Sequence, residues 1–114
     1  MLTTRMAVAA CMATVAVMVT APAAGADAVA YLVNVTVRPG YNFPNADAAL
    51  QYGHGICDKI RQGRPFAAIV NDIKHDFATS DDYQGTYLIS QAAQELCPDQ
   101  IWQLRRSAAG YTGS

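Results

Sequence analysis

Apolar residues recur at helical spacing through the middle of the chain, and the breaks between runs fall on residues that stop helices. From Asn45 or Asp47 as N-cap, Leu50, Gly53, Cys57 and Ile60 follow at three- and four-residue steps. Gly63 stands where a left-handed C-terminal glycine belongs. Pro65 opens the next helix at its first position, where a missing N–H costs nothing. Phe66, Ile69, Val70, Ile73 and Phe77 then form one apolar stripe. Thr79 or Ser80 is placed to cap a further helix, with Asp81 and Asp82 in its first turn, where the helix dipole favours acids. Gly85, Leu88, Ile89, Ala92 and Leu96 line its inner face, and Pro98 ends it. A short turn or helix over Pro98 to Arg105, carrying Ile101, Trp102 and Leu104, folds back over these helices, and Ser107 to Ser114 reads as a frayed tail.

Upstream the pattern is weaker. Asp27 to Val37 begins with an acid suited to a helix N-terminus, but Val33, Val35, Thr36 and Val37 are β-branched and lower its helix propensity. Arg38 to Pro44 holds two prolines and Gly40 around Tyr41 and Phe43, an ordered turn that packs its rings on the core. Short loops imply antiparallel neighbours, so the expected fold is all-α, a small bundle of about four helices over residues 27–106.

The front of the chain is targeting rather than structure. Arg5 follows the start amine, and an uncharged run from Met6 to Thr20 forms an h-region. Pro22 breaks that run, and Ala24-Gly25-Ala26 places small side chains before Asp27, so residues 1–26 read as a secretory signal cleaved between Ala26 and Asp27. An uncleaved anchor is the alternative, because Met6 to Ala24 approaches the roughly 20 apolar residues that a bilayer-spanning helix needs. Its alanines and threonines make it weakly hydrophobic. Val8-Ala9-Ala10-Cys11 loosely resembles a lipidation site, but it lies too close to Arg5 and the apolar run continues beyond it.

Once the signal is set aside, seven Lys/Arg and nine Asp/Glu remain, unclustered. Nucleic acid is excluded as a partner by the lack of a clustered basic surface, and a polybasic membrane patch is likewise missing. Of three cysteines, Cys11 leaves with the signal, and Cys57 and Cys97 remain as a pair with one possible connectivity. In an oxidising compartment they are expected to bond, closing the bundle with one disulfide. A reactive thiol or metal pair is the alternative, but no C-x-x-C accompanies them.

Several pieces together resemble a known family. They are Asp-x-x-x-Tyr-Leu at residues 27–32, Pro-Gly-Tyr at 39–41, Pro-x-Ala-Asp-Ala-Ala-Leu at 44–50, Tyr-Gly-x-Gly-Ile-Cys-Asp at 52–58, and Ala92 to Pro98. This set is similar to the mycobacterial family called domain of unknown function 732 (DUF 732), small exported proteins with two cysteines at this separation. The likeness covers about Asp27 to Asp99. It departs at Val35 to Tyr41, where the family tends toward a better helix former and a different turn. The resemblance implies an all-helical fold, a disulfide and export, and transfers no catalytic or binding residues.

No chemical constellation stands above its structural reading. Tyr52 and His54 share no ligand face, since residues two apart lie about 200° apart on a helix, so haem ligation by the pair is disfavoured. Gly53 and Gly55 read as sites of close packing. His75 falls on a solvent-facing position between Lys74 and Asp76. A hydrolase would need a positioned nucleophile, and both cysteines are assigned to the disulfide. Asp81-Asp82 and Asp72-Asp76 lack the spacing of a calcium loop. Trp102, Tyr83 and Tyr87 read as core anchors, with an exposed aromatic patch as the alternative. The expectation is a secreted or cell-envelope protein, not an enzyme and with no cofactor or metal site. After cleavage it has no membrane span, and it acts on an unknown protein or envelope partner. The alternative is a carrier of a small apolar ligand such as haem or lipid.

Overall fold

The computed structural model describes residues 23–113, with side chains from Ala28 onward. The h-region and Cys11 lie outside the described residues, and Ala26 and Asp27 are described in backbone alone, inside the first helix. Five helices follow in order: α1 (Ala23–Val37), α2 (Ala46–Arg61), α3 (Phe66–Asp76), α4 (Asp82–Glu95) and α5 (Ile101–Ala108), with a 3₁₀ turn over Pro98–Gln100 before the last. The fold is an all-α bundle closed by one disulfide.

α1 is helical despite its β-branched residues because tertiary packing overrides propensity. Tyr31 and Val35, one turn apart, are 0% and 1% exposed. The Tyr31 hydroxyl donates to the Ala49 carbonyl at 2.9 Å, which satisfies the one polar atom that this ring carries into the core. On the neighbouring face, Asn34 donates to Gln91 of α4 at 2.7 Å.

The turn between α1 and α2 is ordered as expected. Gly40 and Asn42 both take positive φ, at 113° and 53°, which reverses the chain and swings Tyr41 inward. Tyr41 is buried, and its hydroxyl donates to the Gln84 carbonyl at 2.6 Å. Its ring meets Phe77 at 5.2 Å, and Phe77 in turn meets Tyr52 at 5.1 Å in the same edge-on manner.

The caps follow local chemistry. Asn45 accepts from the Ala48 N–H at 2.8 Å, and Gly63 ends α2 with φ at 83°. Pro65 is the N-cap of α3 rather than its first helical residue, with extended backbone at ψ 146°. At α4 the cap is neither Thr79 nor Ser80. Asp81 accepts from the Tyr83 N–H at 2.9 Å, while Thr79 accepts from the Asp81 N–H at 3.1 Å. A carboxylate outcompetes a hydroxyl at this position because it also interacts with the helix dipole.

The core is built by Ile56 and Ile60 of α2, Ile69, Val70 and Ile73 of α3, and Leu88, Ile89 and Ala92 of α4, with Tyr31 and Val35 closing it. On α2 the buried stripe runs through Ala49, Gly53, Ile56, Cys57 and Ile60, so the expected Leu50 sits at its edge, half-buried. Two glycines set helix separations. A Cβ on Gly53 would lie 2.7 Å from the Tyr31 ring, and one on Gly85 would lie 3.2 Å from the Val70 carbonyl. Gly55, read as a second packing site, faces open space.

Cys57 of α2 and Cys97, just beyond α4, are bonded, with Cα atoms 6.1 Å apart. Both are buried. α5 lays Ile101 and Leu104 on the bundle, and Gln103 donates to the Ile60 carbonyl at 2.7 Å. Beyond α5, Tyr111 meets Phe66 edge-on with ring centroids 4.9 Å apart.

Candidate functional site

The residues singled out for chemistry are dispersed or already engaged. Tyr52 donates to Asp76 at 2.6 Å and belongs to the aromatic cluster, while His54 is exposed. Burial, reinforced by the Asp76 hydrogen bond, holds the Tyr52 hydroxyl well above the usual phenol range. Tyr52 is thus committed to structure and shares no ligand face with His54. The His75 side chain is 91% exposed, with the nearest carboxylate oxygen of Asp76 3.9 Å away.

The acids are partnered. Asp81 is the α4 cap, and Asp82 pairs with Lys74. Asp72 of α3 receives Lys59 of α2 at 3.0 Å and Arg64 at 2.7 Å, the latter through two guanidinium nitrogens. The Arg64 hydrogen bond holds the Asp72 carboxyl below its ordinary value. Among the described residues, no group of three or more His, Cys, Asp or Glu side chains is placed to hold a metal ion. No helix among them is long and apolar enough to cross a membrane.

The distinctive features lie on the outside. Trp102 and Tyr83, expected in the core, are 70% and 58% exposed, and Tyr87 is half-buried. The core is already filled by aliphatic side chains of α2, α3 and α4, and the turns that carry these rings hold them on outward faces.

Three surface groups result. The outer edge of α1 carries Val29, Val33 and Val37, all exposed, in a single i, i+4, i+8 ridge. Beside it an open cleft of about 340 Å³ separates α1 from α2, with Leu32, Val35, Phe43 and Ala49 among its walls and Asn42 and Asn45 at its polar side.

The second group is built around Arg38. Its guanidinium lies 4.7 Å from the Tyr83 ring centre and 4.4 Å from that of Tyr87, and its Nε donates to Gln84 at 2.7 Å. Tyr83 and Tyr87 are one turn apart on α4, so they flank a single cation brought from the end of α1. Sequence reading misses this clamp because Arg38 and the tyrosines meet only through tertiary packing. The i, i+4 tyrosine pair is the one local signal.

The third group is on α5. The Arg105 guanidinium sits 5.4 Å from the centre of the Trp102 ring. Arg105 also edges a groove of about 200 Å³ between α4 and α5, lined by Ala93, Ile101 and Leu104 with Ser90 and Gln94.

Comparison with known proteins supplies one finding. The family model described as protein of unknown function (DUF732) matches residues 25–99. No curated protein and no solved structure matches the chain.

Proposed function

Because the chain belongs to the DUF732 family of proteins of unknown function, we propose a function from its surface: it is an exported, non-catalytic interaction module of the cell envelope or the medium. The signal is removed between Ala26 and Asp27, and the Cys57–Cys97 bond forms in the oxidising compartment beyond the membrane. The observation that carries the reading is the placement of large side chains. The buried interior is mostly aliphatic, while Trp102, Tyr83 and the α1 valines stand exposed. Exposed aromatic and apolar groups of this kind mark contact surfaces.

Carriage of a small apolar ligand has less support. The α1/α2 cleft is near the small end of ligand pockets, which run from about 300 to 1,000 Å³, and it opens to solvent rather than enclosing a guest. His54 and Tyr52 do not line it, so a haem iron would find neither of the candidate ligands there.

Intact mass of the protein recovered from its native host's medium, with and without reduction, tests the proposal. A chain beginning at Asp27, two hydrogens lighter than the reduced form and free of adducts, is the expected result. Retention in the membrane at precursor or lipidated mass overturns cleavage and release. A ligand adduct that survives only under native conditions overturns the interaction reading in favour of a carrier.

A further inference from the structure

We propose that Trp102, Arg105 and Arg106 of α5, with the adjoining α4/α5 groove, form a docking surface for an acidic protein segment that carries an apolar anchor residue. The inference rests on the interaction-module reading and names the surface and the chemistry of its partner.

Lys59, Arg61, Arg64 and Lys74 are each paired with a carboxylate. Arg38 is engaged by Gln84 and two tyrosine rings. Arg105 and Arg106 are the cations that remain, without a carboxylate partner among the described residues, and they are adjacent and exposed. Their position in the last turn of α5 complements the helix dipole. The dipole does not explain the indole beside them.

Trp102 is the chain's single tryptophan, and it is 70% exposed. A tryptophan buries about 150–250 Å² when it packs, so most of that capacity is unused here. Its indole N–H has no protein acceptor among the described residues. Tryptophan and arginine are the residue types most enriched among side chains that dominate binding energy, and here they are stacked on one another.

The adjoining groove, at about 200 Å³, falls below the size of a small-molecule pocket but accepts one aliphatic or aromatic side chain. Ala93, Ile101 and Leu104 give it an apolar strip, Ser90 and Gln94 make the rest of its lining polar, and Arg105 borders both the groove and the indole. A chain crossing this site would bury one apolar residue and place its acids against the two guanidinium groups, which recognise carboxylates through paired donors.

A bilayer fits less well. Two arginines are only weakly attracted to an anionic surface, and the apolar face of α5 is already turned into the bundle through Ile101 and Leu104. A single indole and two charges remain, which is too little for stable anchoring but ample for a peptide contact.

The test replaces Trp102 with the photoreactive side chain benzoylphenylalanine in the full chain, expressed in the native host, with the same replacement at Val33 as the comparison. The expected cross-link from position 102 maps to a protein segment rich in Asp and Glu with at least one large apolar residue. Adding Arg105→Glu and Arg106→Glu lowers its yield at least tenfold, whereas Arg105→Lys and Arg106→Lys keep it within threefold. Secreted level and melting temperature, unchanged in both pairs, establish that the variants are folded. A neutral or basic segment, label found only in lipid, or a yield indifferent to charge reversal overturns the proposal. If a specific partner is captured from position 33 and not from 102, the interaction module stands and this surface is wrong. If neither position captures one, both readings fail.

Discussion

Removing the disulfide by Cys57→Ala with Cys97→Ala tests what holds this small bundle together. The bridge spans a sequence separation of 40 and ties the C-terminal half of α2 to Cys97 just beyond α4. In the chain-entropy treatment a closed loop of that length constrains the unfolded chain by about 4 kcal/mol. Both sulfurs are buried, so alanine avoids placing a new polar group in the core, and the loss of packing adds to the entropic effect. Small domains have total stabilities of about 5–15 kcal/mol, and 1 kcal/mol shifts the melting temperature of a domain this size by about 4–8 °C. The double variant should therefore melt about 20 °C or more below the oxidised protein, in a single transition by circular dichroism, with the midpoint in urea reduced in proportion. A drop of less than about 5 °C would mean that the unfolded chain is already compact between α2 and α4, or that aliphatic packing alone sustains the fold.

Two further perturbations probe the packing. Gly53→Ala should destabilise by about 1–3 kcal/mol, because the new Cβ would meet Leu96 at 2.5 Å and the Tyr31 ring at 2.7 Å. Gly55→Ala, two residues away and facing open space, should instead stabilise by about 0.5–1 kcal/mol. Equal effects in urea titrations would show that Gly53 does not set the α1 to α2 approach. Burial pushes the Tyr41 hydroxyl from 10.0 up to about 12, against an opposing influence from Arg38. The folded state thus keeps a proton that the unfolded chain begins to lose near pH 10. Stability should be complete below that pH and fall as pH rises toward 12. In pH-dependent melts Tyr41→Phe should make this loss shallower, leaving the share of Tyr31 and Tyr52, whose hydroxyls burial also raises, whereas superimposable slopes would place the alkaline transition on those other groups alone.

The sequence is most legible where elements are defined by local chemistry. Asn45 as cap, Gly63 as stop, the α3 stripe and the Pro98 ending all follow from side-chain hydrogen bonds or backbone restrictions acting within a few residues. Membership of the DUF732 family is legible in the same local motifs, through Tyr-Gly-x-Gly-Ile-Cys-Asp and the Cys97-Pro98 ending. The differences arise where a distant contact decides. α1 keeps helical geometry through its valines because Tyr31 reaches Ala49 of another helix, a contact invisible in an eleven-residue window. Leu50 and Ile56 both fit α2 periodicity, and the direction from which α1 and α4 approach determines which is buried. Gly53 and Gly55 look alike in sequence and differ only in what lies opposite. Hydrophobicity alone sends Trp102 to the core, but it describes the side chain's preference and not whether the core has room.

That last case bears on function more than on folding. The described residues bury no charged side chain, and the buried set is aliphatic apart from Tyr31, Tyr41, Phe66 and the disulfide. The interior therefore needs neither Trp102 nor the guanidinium groups beside it, and an exposed indole adds solubility cost without core stabilisation. The same holds at the start of α4, where Tyr83 and Tyr87 hold Arg38 in a fixed position at the surface. Each arrangement pairs a cation with aromatic rings and is held by a helix that the core fixes in place. A rigid display of this kind lowers the ordering cost of binding. Selection for stability alone would favour replacing Trp102 by a polar residue. If Trp102→Gln leaves the melting temperature within about 2 °C while abolishing binding of the acidic segment that the cross-link identifies, the indole serves recognition and contributes little to the fold.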